Sequence, residues 1–360
     1  MKIDYQVRKY DYNKRAGNLD AEAKGKVKSK KYFPYFYEDG KKIIFKPLSK
    51  TKPLSTPYFA YSEVVWSHIL HNFFDKNIPL YHLAKCPGYE EAEPKYHTYG
   101  TVVESVTNEN ERLVNLYEYF MLHPDGQVTD IIKDYTNFCM MYYDYSFYYA
   151  SELFQNNREI SAEISRQILY SILRGDQNYH YENVSFIYEG DALKRVAVPI
   201  DHEFSSIFMY PDQRESHLDV STKFMDYLFE NESERSKMIR SILGIPNEKC
   251  NIIKNIETIV KLHPEVAESF IDSLNHMCDE LRTNPIILED HNYLEPFSSD
   301  DYEAGILRYK DQKLEKAIKK EAEIEQREVS VDEENEFVNQ EILANADALK
   351  KTLENKLTML

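Results

Sequence analysis

Short runs of aromatic and β-branched residues, separated by turn-forming residues, occupy much of the first hundred positions of the chain. The runs Tyr32 to Tyr37 and Lys41 to Pro47 flank the turn-forming cluster Glu38-Asp39-Gly40. Aromatic and branched side chains favour strands, and Asp-Gly between two such runs is typical of a hairpin. The pattern therefore predicts a β-hairpin whose second strand carries Lys46 near its end.

Two later segments have apolar residues at the three- and four-residue spacing of an α-helix. The first, Ser62 to Leu70, is predicted to be an amphipathic helix with Glu63 near its start. The second, Ile160 to Leu173, is followed by a polar loop. Two short apolar runs between residues 184 and 200, separated by Glu189-Gly190-Asp191, then predict a second hairpin.

Composition limits the classes of protein to which this chain can belong. It has 360 residues, of which 42% are hydrophobic and 13% aromatic, so it is expected to be globular and long enough for two lobes and a tail. The net charge of −17 argues against direct nucleic-acid binding and against binding to an anionic membrane. The four cysteines form no Cys-x-x-Cys pair, and the chain has no secretory signal and no apolar run of eighteen residues, so we expect a cytoplasmic protein.

The polar loop at residues 175 to 183 contains candidate catalytic chemistry. It has the order His180-x-x-Asn183, and the hairpin that follows it ends at Asp201. In a kinase-like catalytic loop, the side-chain oxygens of such an Asn and Asp jointly hold Mg²⁺ on the phosphates. We therefore predict Asn183 and Asp201 as metal ligands and His180 as a residue that organises the loop. His202 is either a hydrogen-bonding histidine or a neighbour of the metal.

An upstream half of such a site is also present. A strand Lys paired with a helix Glu positions the ATP phosphates in protein kinases, and Lys46 and Glu63 occur in that order. The run Thr101 to Ser105, which includes Glu104, is placed where a connector between two lobes would read the adenine edge through its backbone. Lys46, Glu63 and Glu104 are therefore candidate nucleotide-binding residues.

Together these motifs resemble the HipA-like family of bacterial protein kinases, particularly its smaller stand-alone members, over residues 1 to about 300. The resemblance implies an α+β, two-lobed, protein-kinase-like fold. Its parts would be a β-rich N-lobe at 1–105, a mostly helical C-lobe at 106–301 and a charged helical tail at 302–360. It also implies ATP and Mg²⁺ as cofactors and transfer of the γ-phosphate to a Ser or Thr hydroxyl of a protein.

The resemblance further implies that a loop between the first strands covers the phosphates. Gly17 and Gly25 lie at the two ends of that stretch, but they do not form Gly-x-Gly-x-x-Gly, so a plain surface loop is the alternative. HipA-like kinases are often encoded beside a small DNA-binding partner, so an antitoxin-like regulatory protein is a candidate partner beside the protein substrate.

One position departs from the family pattern. Where the family has its catalytic Asp, two residues before His180, this chain has Asn178, and Asp176 stands two residues further upstream. An Asn amide can accept a hydrogen bond from a substrate hydroxyl but cannot take its proton. Four alternatives follow: Asp176 supplies the carboxylate, the protein binds nucleotide as a pseudokinase, Asn178 is an introduced change, or both residues only form a turn.

The last sixty residues change in character. A capping-box spacing at Ser330 to Glu333 predicts a helix at residues 335–358. One face of that helix is apolar, consisting of Ile342, Ala346, Leu349, Leu353 and Leu357. This face is expected either to pack on the large lobe or to dock a partner helix. A third function class, a structural adaptor without a nucleotide site, requires the Lys46, Asn183 and Asp201 alignments all to be coincidental.

Overall fold

The protein is described by a computed structural model. The described residues are 1–21, 31–49, 56–94, 96–115, 118–119, 156–175, 184–200, 202, 252–288 and 331–360. The strands are β1 Arg8–Lys9, β2 Gly17–Ala21, β3 Lys31–Glu38, β4 Lys41–Ser49, β5 His82–Lys85, β6 Tyr96–Glu104, β7 Glu111–Asn115, β8 Ser185–Glu189 and β9 Ala192–Val196. The helices are α1 Thr56–Phe73, α2 Tyr89–Ala92, α3 Arg158–Arg174, α4 Ile252–Leu262, α5 Pro264–Thr283 and α6 Val331–Leu357.

The N-terminal strands form a six-stranded sheet in the order β1-β5-β6-β4-β3-β2. All neighbouring strands are antiparallel except β1 and β5, which are parallel. The predicted first hairpin is confirmed as β3 and β4, and its turn places Asp39 and Gly40 at φ values of 50° and 77°. Positive φ at both turn residues matches the right-handed twist of the two strands, which is why Asp-Gly is suited to this turn.

Strands β4 and β6 approach each other closely at Gly100. A Cβ atom added to Gly100 would lie 2.1 Å from the backbone oxygen of Lys46, far inside van der Waals contact. Only glycine therefore permits this spacing, and the spacing fixes the backbone of β4 at Lys46.

Helix α1 is buried on all sides over residues 60 to 70, because it packs against β4, β5 and β6 and also against helix α5. The prediction of an amphipathic helix is therefore wrong in one respect. The polar side chains of Ser62, Glu63, Ser67 and His68 are as inaccessible as their apolar neighbours. A helix enclosed in this way must satisfy its polar groups inside the protein.

Helix α3 has sequence-encoded ends. The side chain of Asn157 accepts a hydrogen bond from the backbone N–H of Ile160 at 3.1 Å and so caps the first turn. Gly175 ends the helix with φ 59°, and its N–H donates to the carbonyl of Ile172 at 3.0 Å. The predicted second hairpin is confirmed as β8 and β9. Strand β7 pairs with the other edge of β8, so the three strands form a sheet in the order β7-β8-β9.

The C-terminal helix α6 packs against α3, α4 and α5. Four residues of its predicted apolar face, Ile342, Ala346, Leu349 and Leu353, are fully buried, and Leu357 is partly buried against the same core. The side chain of Asn339 adds two hydrogen bonds to the backbone of Ile286, at 2.8 and 2.7 Å. Helices of the same chain cover this apolar face, which is the first of its two expected arrangements. Docking of a partner helix on residues 335–358 stays a prediction.

The predicted α+β class, with a β-rich N-terminal part, a helical C-terminal part and a C-terminal helix, is confirmed. Within the residues that the structure describes, no helix has the length and apolar character needed to cross a bilayer.

Two histidines meet where α1 packs on β5: His68 of α1 is buried, and His82 of β5 is half-buried. The rings of His68 and His82 are 6.0 Å apart and perpendicular. The pKa of each histidine is lowered to about 4, mainly by burial. The neighbouring His82 contributes to the lowered pKa of His68, and the charge on Arg8 contributes to the lowered pKa of His82. Both side chains are therefore neutral in the folded protein at neutral pH.

Substituting Leu349 by Ala tests the packing of α6. We expect a loss of about 2–5 kcal/mol in the free energy of unfolding, because the side chain is fully buried and the substitution leaves a cavity. Leu360→Ala is the matched control: that leucine is 72% exposed, and its truncation should change stability by less than about 0.5 kcal/mol. Equal losses in urea unfolding would contradict the observed packing.

Acidification tests the buried histidines. In the unfolded chain a histidine takes up a proton near pH 6.5, and in the folded protein His68 does so only near pH 4. The unfolded state therefore binds more protons between these values, so the free energy of unfolding should fall as pH decreases from 6.5 to 4, by roughly 3 kcal/mol from His68. Urea unfolding of the wild type and of His68→Leu at several pH values isolates this part. If the free energy of unfolding changes equally with pH in the two proteins, protonation of His68 does not contribute to this pH dependence.

Candidate functional site

Lys46 of β4 and Glu63 of α1 form an ion pair in the protein interior. The Lys46 side chain is 20% exposed and the Glu63 side chain only 2%. The contact predicted from the order of the two residues is therefore present, although its role in nucleotide binding stays a prediction. Water is largely excluded from the pair, so the attraction is stronger than at the surface, and each charge needs its partner.

Lys46 shares a face of the sheet with an aromatic and an aliphatic side chain. In the strand register Tyr35 lies opposite Ile44, and Ile44 lies opposite Val103. Lys46 is two residues beyond Ile44 and therefore projects from the same face. This face thus presents a cation beside apolar surface, which suits a ligand with a negatively charged part and a planar apolar part.

Gly17 has a different role from the predicted one. It begins strand β2 and lies opposite Tyr35, whereas the sequence placed it at the edge of a loop. A Cβ atom at Gly17 would lie 2.7 Å from the Tyr35 ring, so glycine is what allows the ring to lie over β2. The other predicted loop glycine, Gly25, lies outside the described residues.

Most of the predicted connector, Thr101 to Glu104, lies within strand β6, while the role of Glu104 in nucleotide binding stays a prediction. Val102 is hydrogen-bonded in the centre of the sheet, opposite Phe45 on one side and His82 on the other, so its backbone is not free to read a nucleobase. Glu104 ends β6, and its carboxylate accepts from the Lys41 ammonium at 2.7 Å in a largely exposed pair. The chain that joins the two sheets begins at Ser105 and reaches β7 at Glu111.

The central residues of the predicted site lie outside the described residues. These are Asp176, Asn178, His180, Asn183 and Asp201. Their roles in metal binding and catalysis stay predictions. In the part of the chain that the structure does describe, no group of three His, Cys, Asp or Glu side chains could hold a metal ion.

The described residues that flank these segments are held by buried hydrogen bonds. Arg174, one residue before the loop, contacts the ring of His202 through a guanidinium nitrogen, and the Ser62 hydroxyl donates to the carbonyl of His202. The Gln167 amide donates to the carbonyl of Ala197 at 2.5 Å, which ties α3 to the segment leading to Asp201. His202 is therefore a hydrogen-bonded histidine, whereas Ser62, Arg174 and Gln167 were missed because no motif marks them.

The three-stranded sheet is closed by a charged pair. Arg195 of β9 donates from two guanidinium nitrogens to the two carboxylate oxygens of Glu111 on β7, at 2.7 and 3.1 Å. These hydrogen bonds lower the pKa of Glu111 to about 2, so the pair stays ionised at any physiological pH. The bidentate pair links the outer strands β7 and β9 across β8.

A groove of about 1730 Å³ lies elsewhere, lined among others by Lys41, Glu104, Arg158 and Arg195. Neither Lys46 nor Glu63 lines it, so this groove is separate from the Lys46–Glu63 pair. Positive and negative side chains are mixed along its wall.

Removing one charge of the buried pair tests its geometry. Lys46→Met should lower the free energy of unfolding by about 3–5 kcal/mol, because Glu63 then keeps a buried charge without its ammonium. The double variant Lys46→Met with Glu63→Leu should recover most of that loss. Lys41→Met removes the ammonium of the exposed pair on the same strand and should cost at most about 1 kcal/mol. Equal losses for the two single Lys→Met variants in urea unfolding would show that the Lys46 pair is not buried.

Lys46 on a strand and Glu63 on the next helix are paired in the structure, in the order in which protein kinases have such a pair. No protein-family model matches the chain. No curated protein matches it either. Among solved structures, the chain is similar to a Helicobacter pylori proinflammatory kinase, CtkA, with 13% sequence identity and a TM-score of 0.39. That match covers 84% of this chain and 97% of the kinase.

Proposed function

We propose that this chain is a HipA-like protein kinase that binds ATP with Mg²⁺ and transfers the γ-phosphate to a Ser or Thr hydroxyl of a protein. The observation that carries the proposal is the buried ion pair between Lys46 and Glu63. A lysine held by a helix glutamate next to an apolar sheet face can place its ammonium on the phosphates while the nucleobase lies against the sheet.

In the proposed reaction each residue has one task. Lys46 binds the phosphates, and Glu63 orients the Lys46 ammonium. Asn183 and Asp201 supply hard oxygen donors of the kind that Mg²⁺ prefers. When bound, the metal ion neutralises charge on the phosphates. The acceptor oxygen forms a bond to the γ-phosphorus, the bond to the β–γ bridging oxygen breaks, and ADP leaves with that oxygen.

The proton of the acceptor hydroxyl needs a destination, and this point separates two candidate functions. Asn178 can only orient the hydroxyl, whereas Asp176 could accept its proton from two residues upstream. General-base assistance is worth about 10²–10⁴ in rate, so without it phosphoryl transfer is slow while nucleotide binding persists. Asn178 therefore favours, as the second candidate, a nucleotide-binding pseudokinase that acts as a regulatory or interaction protein. A structural adaptor is disfavoured because it gives no reason for a buried Lys–Glu pair.

Thermal denaturation with ATP, with and without Mg²⁺, tests nucleotide binding. A ligand at 100 times its dissociation constant adds about 2.7 kcal/mol to stability, so the melting temperature should rise with Mg-ATP. Asp201→Ala should remove the metal-dependent part of the rise, and Lys46→Met should remove most of it. Lys85→Met is a matched control, because Lys85 also lies in the sheet but donates to the Tyr99 hydroxyl at 2.9 Å. The absence of any Mg-ATP shift in the wild type would refute both candidates.

Autophosphorylation with labelled ATP separates the kinase from the pseudokinase. Asn178→Asp should raise the rate by up to about 10²–10⁴ if the base is missing. If Asp176 is the base, the wild type is already active and Asp176→Asn abolishes transfer. If the wild type binds Mg-ATP but the wild type, Asn178→Asp and Asp176→Asn all fail to autophosphorylate, the pseudokinase remains as the function.

A further inference from the structure

Three buried polar residues are in contact where α1, the end of α3 and His202, the residue directly after Asp201, come together. They are Ser62, Arg174 and His202, which are 0%, 1% and 1% exposed. The three are far apart in sequence, and none belongs to the predicted Lys–Glu pair or to the predicted metal ligands. We call them the positioning triad.

The chemistry of the contacts fixes the direction of each hydrogen bond. An Arg guanidinium only donates, so Nδ1 of His202 must be the acceptor of the bond from Arg174, and the ring proton is carried by Nε2. The Ser62 hydroxyl donates to the His202 carbonyl. Residue 202 is thus held through its ring by α3 and through its backbone by α1.

A third contact limits the ring itself. The ring of Tyr81, just before β5, packs edge-on against His202 with centroids 5.6 Å apart and planes at 68°. The Tyr81 backbone N–H in turn donates to the Ser67 hydroxyl of α1 at 3.0 Å. Helix α1 therefore contacts the residue-202 position directly through Ser62 and indirectly through Tyr81.

We propose that Ser62, Arg174 and His202 are positioning residues that couple the placement of helix α1 to the placement of the metal-binding Asp201 and of the catalytic loop. Each member is next to a part of the predicted site: Ser62 precedes Glu63, Arg174 is two residues before Asp176, and His202 follows Asp201. Consecutive Cα atoms are about 3.8 Å apart, so fixing one residue limits its neighbour. This inference rests on the proposed function.

The polar character of the triad distinguishes it from the apolar packing at the same place in protein kinases. In protein kinases the residue after the metal-binding Asp is a Phe whose packing sets the active or inactive arrangement. Apolar packing tolerates sliding, whereas hydrogen bonds have a preferred distance and angle. Here the ring at position 202 is held by directional bonds, so a shift of α1 breaks a defined contact and is transmitted to Asp201.

The test measures how Mg²⁺ changes ATP affinity, because a purely structural residue would not alter that dependence. In isothermal titration, Arg174→Gln should weaken ATP binding at least tenfold with Mg²⁺ present and less than twofold without it. Arg174→Lys keeps a positively charged donor on a long side chain, whereas Gln is shorter and neutral, so Arg174→Lys should recover part of the loss. His202→Phe keeps a ring beside Tyr81 but removes the acceptor, and it should resemble Arg174→Gln. If transfer is measurable, kcat should fall more than KM rises.

The control is Ser171→Ala on the same helix. The Ser171 hydroxyl is also buried and donates to the Ile168 carbonyl at 2.8 Å, so its loss should lower the melting temperature without changing the Mg²⁺ dependence. If Arg174→Gln does not fold, Ser62→Ala removes one hydrogen bond only and should still weaken Mg-ATP binding at least threefold.

The outcomes distinguish this inference from the proposed function. A wild type that does not bind Mg-ATP overturns both. The triad alone is overturned if the wild type binds Mg-ATP and the triad variants bind it equally well. It is also overturned if Ser171→Ala loses as much affinity as they do. Arg174→Gln and His202→Phe both remove the same hydrogen bond. The double variant should therefore bind Mg-ATP no more weakly than whichever single variant has the lower affinity. Losses of affinity that add up in the double variant would also overturn the coupling.

Discussion

The buried ion pair between Lys46 and Glu63 constrains the N-terminal half of this molecule more than any other contact described. The Glu63 side chain is buried and the Lys46 side chain is mostly buried. Separating the two charges would therefore cost stability, so the strand and the helix must keep them together. This requirement fixes the height of α1 on the sheet. The close approach of β6 at Gly100 then fixes the strand, and the apolar residues of α1 that pack against α5 fix the helix from the other side.

Helix α1 consequently belongs to two parts of the protein at once. Its Glu63 pairs with Lys46 of the sheet, and the hydroxyl of the adjacent Ser62 donates a hydrogen bond to the His202 carbonyl. A helix that was amphipathic and half exposed could tilt at little cost, but this one is enclosed and its polar groups have specific partners. Its displacement would break the ion pair and the triad together, so the two contacts stabilise one common arrangement of the helix.

Local rules were enough to predict both hairpins, the three helices α1, α3 and α6 and one long-range contact, although they placed Gly17 in a loop and not in β2. Turn residues such as Asp39 and Gly40 identified the hairpins, and the strand-Lys, helix-Glu order identified the pair of Lys46 and Glu63. The sequence could not show which strands flank β6, and so the connector was placed on residues whose backbone is already hydrogen-bonded in the sheet. The contact of Arg174 with His202 joins residues 28 apart through tertiary packing, and neither residue type signals it. The predicted metal and catalytic residues lie outside the described part of the chain, so they stay predictions.

The packing of α6 on α3 has a consequence for how the protein is made. The Asn345 amide of α6 donates to the Leu173 carbonyl, 172 positions earlier, at 3.5 Å, just before the helix ends at Arg174. At a synthesis rate of about 5–20 residues per second, roughly 10–30 s separate the two segments on the ribosome. During that interval the apolar surface of α3 that α6 later covers is open in the nascent chain. Chaperones can bind this surface of α3 during the interval. Helix α3 becomes fully packed only after residues up to about Leu357 have left the ribosome.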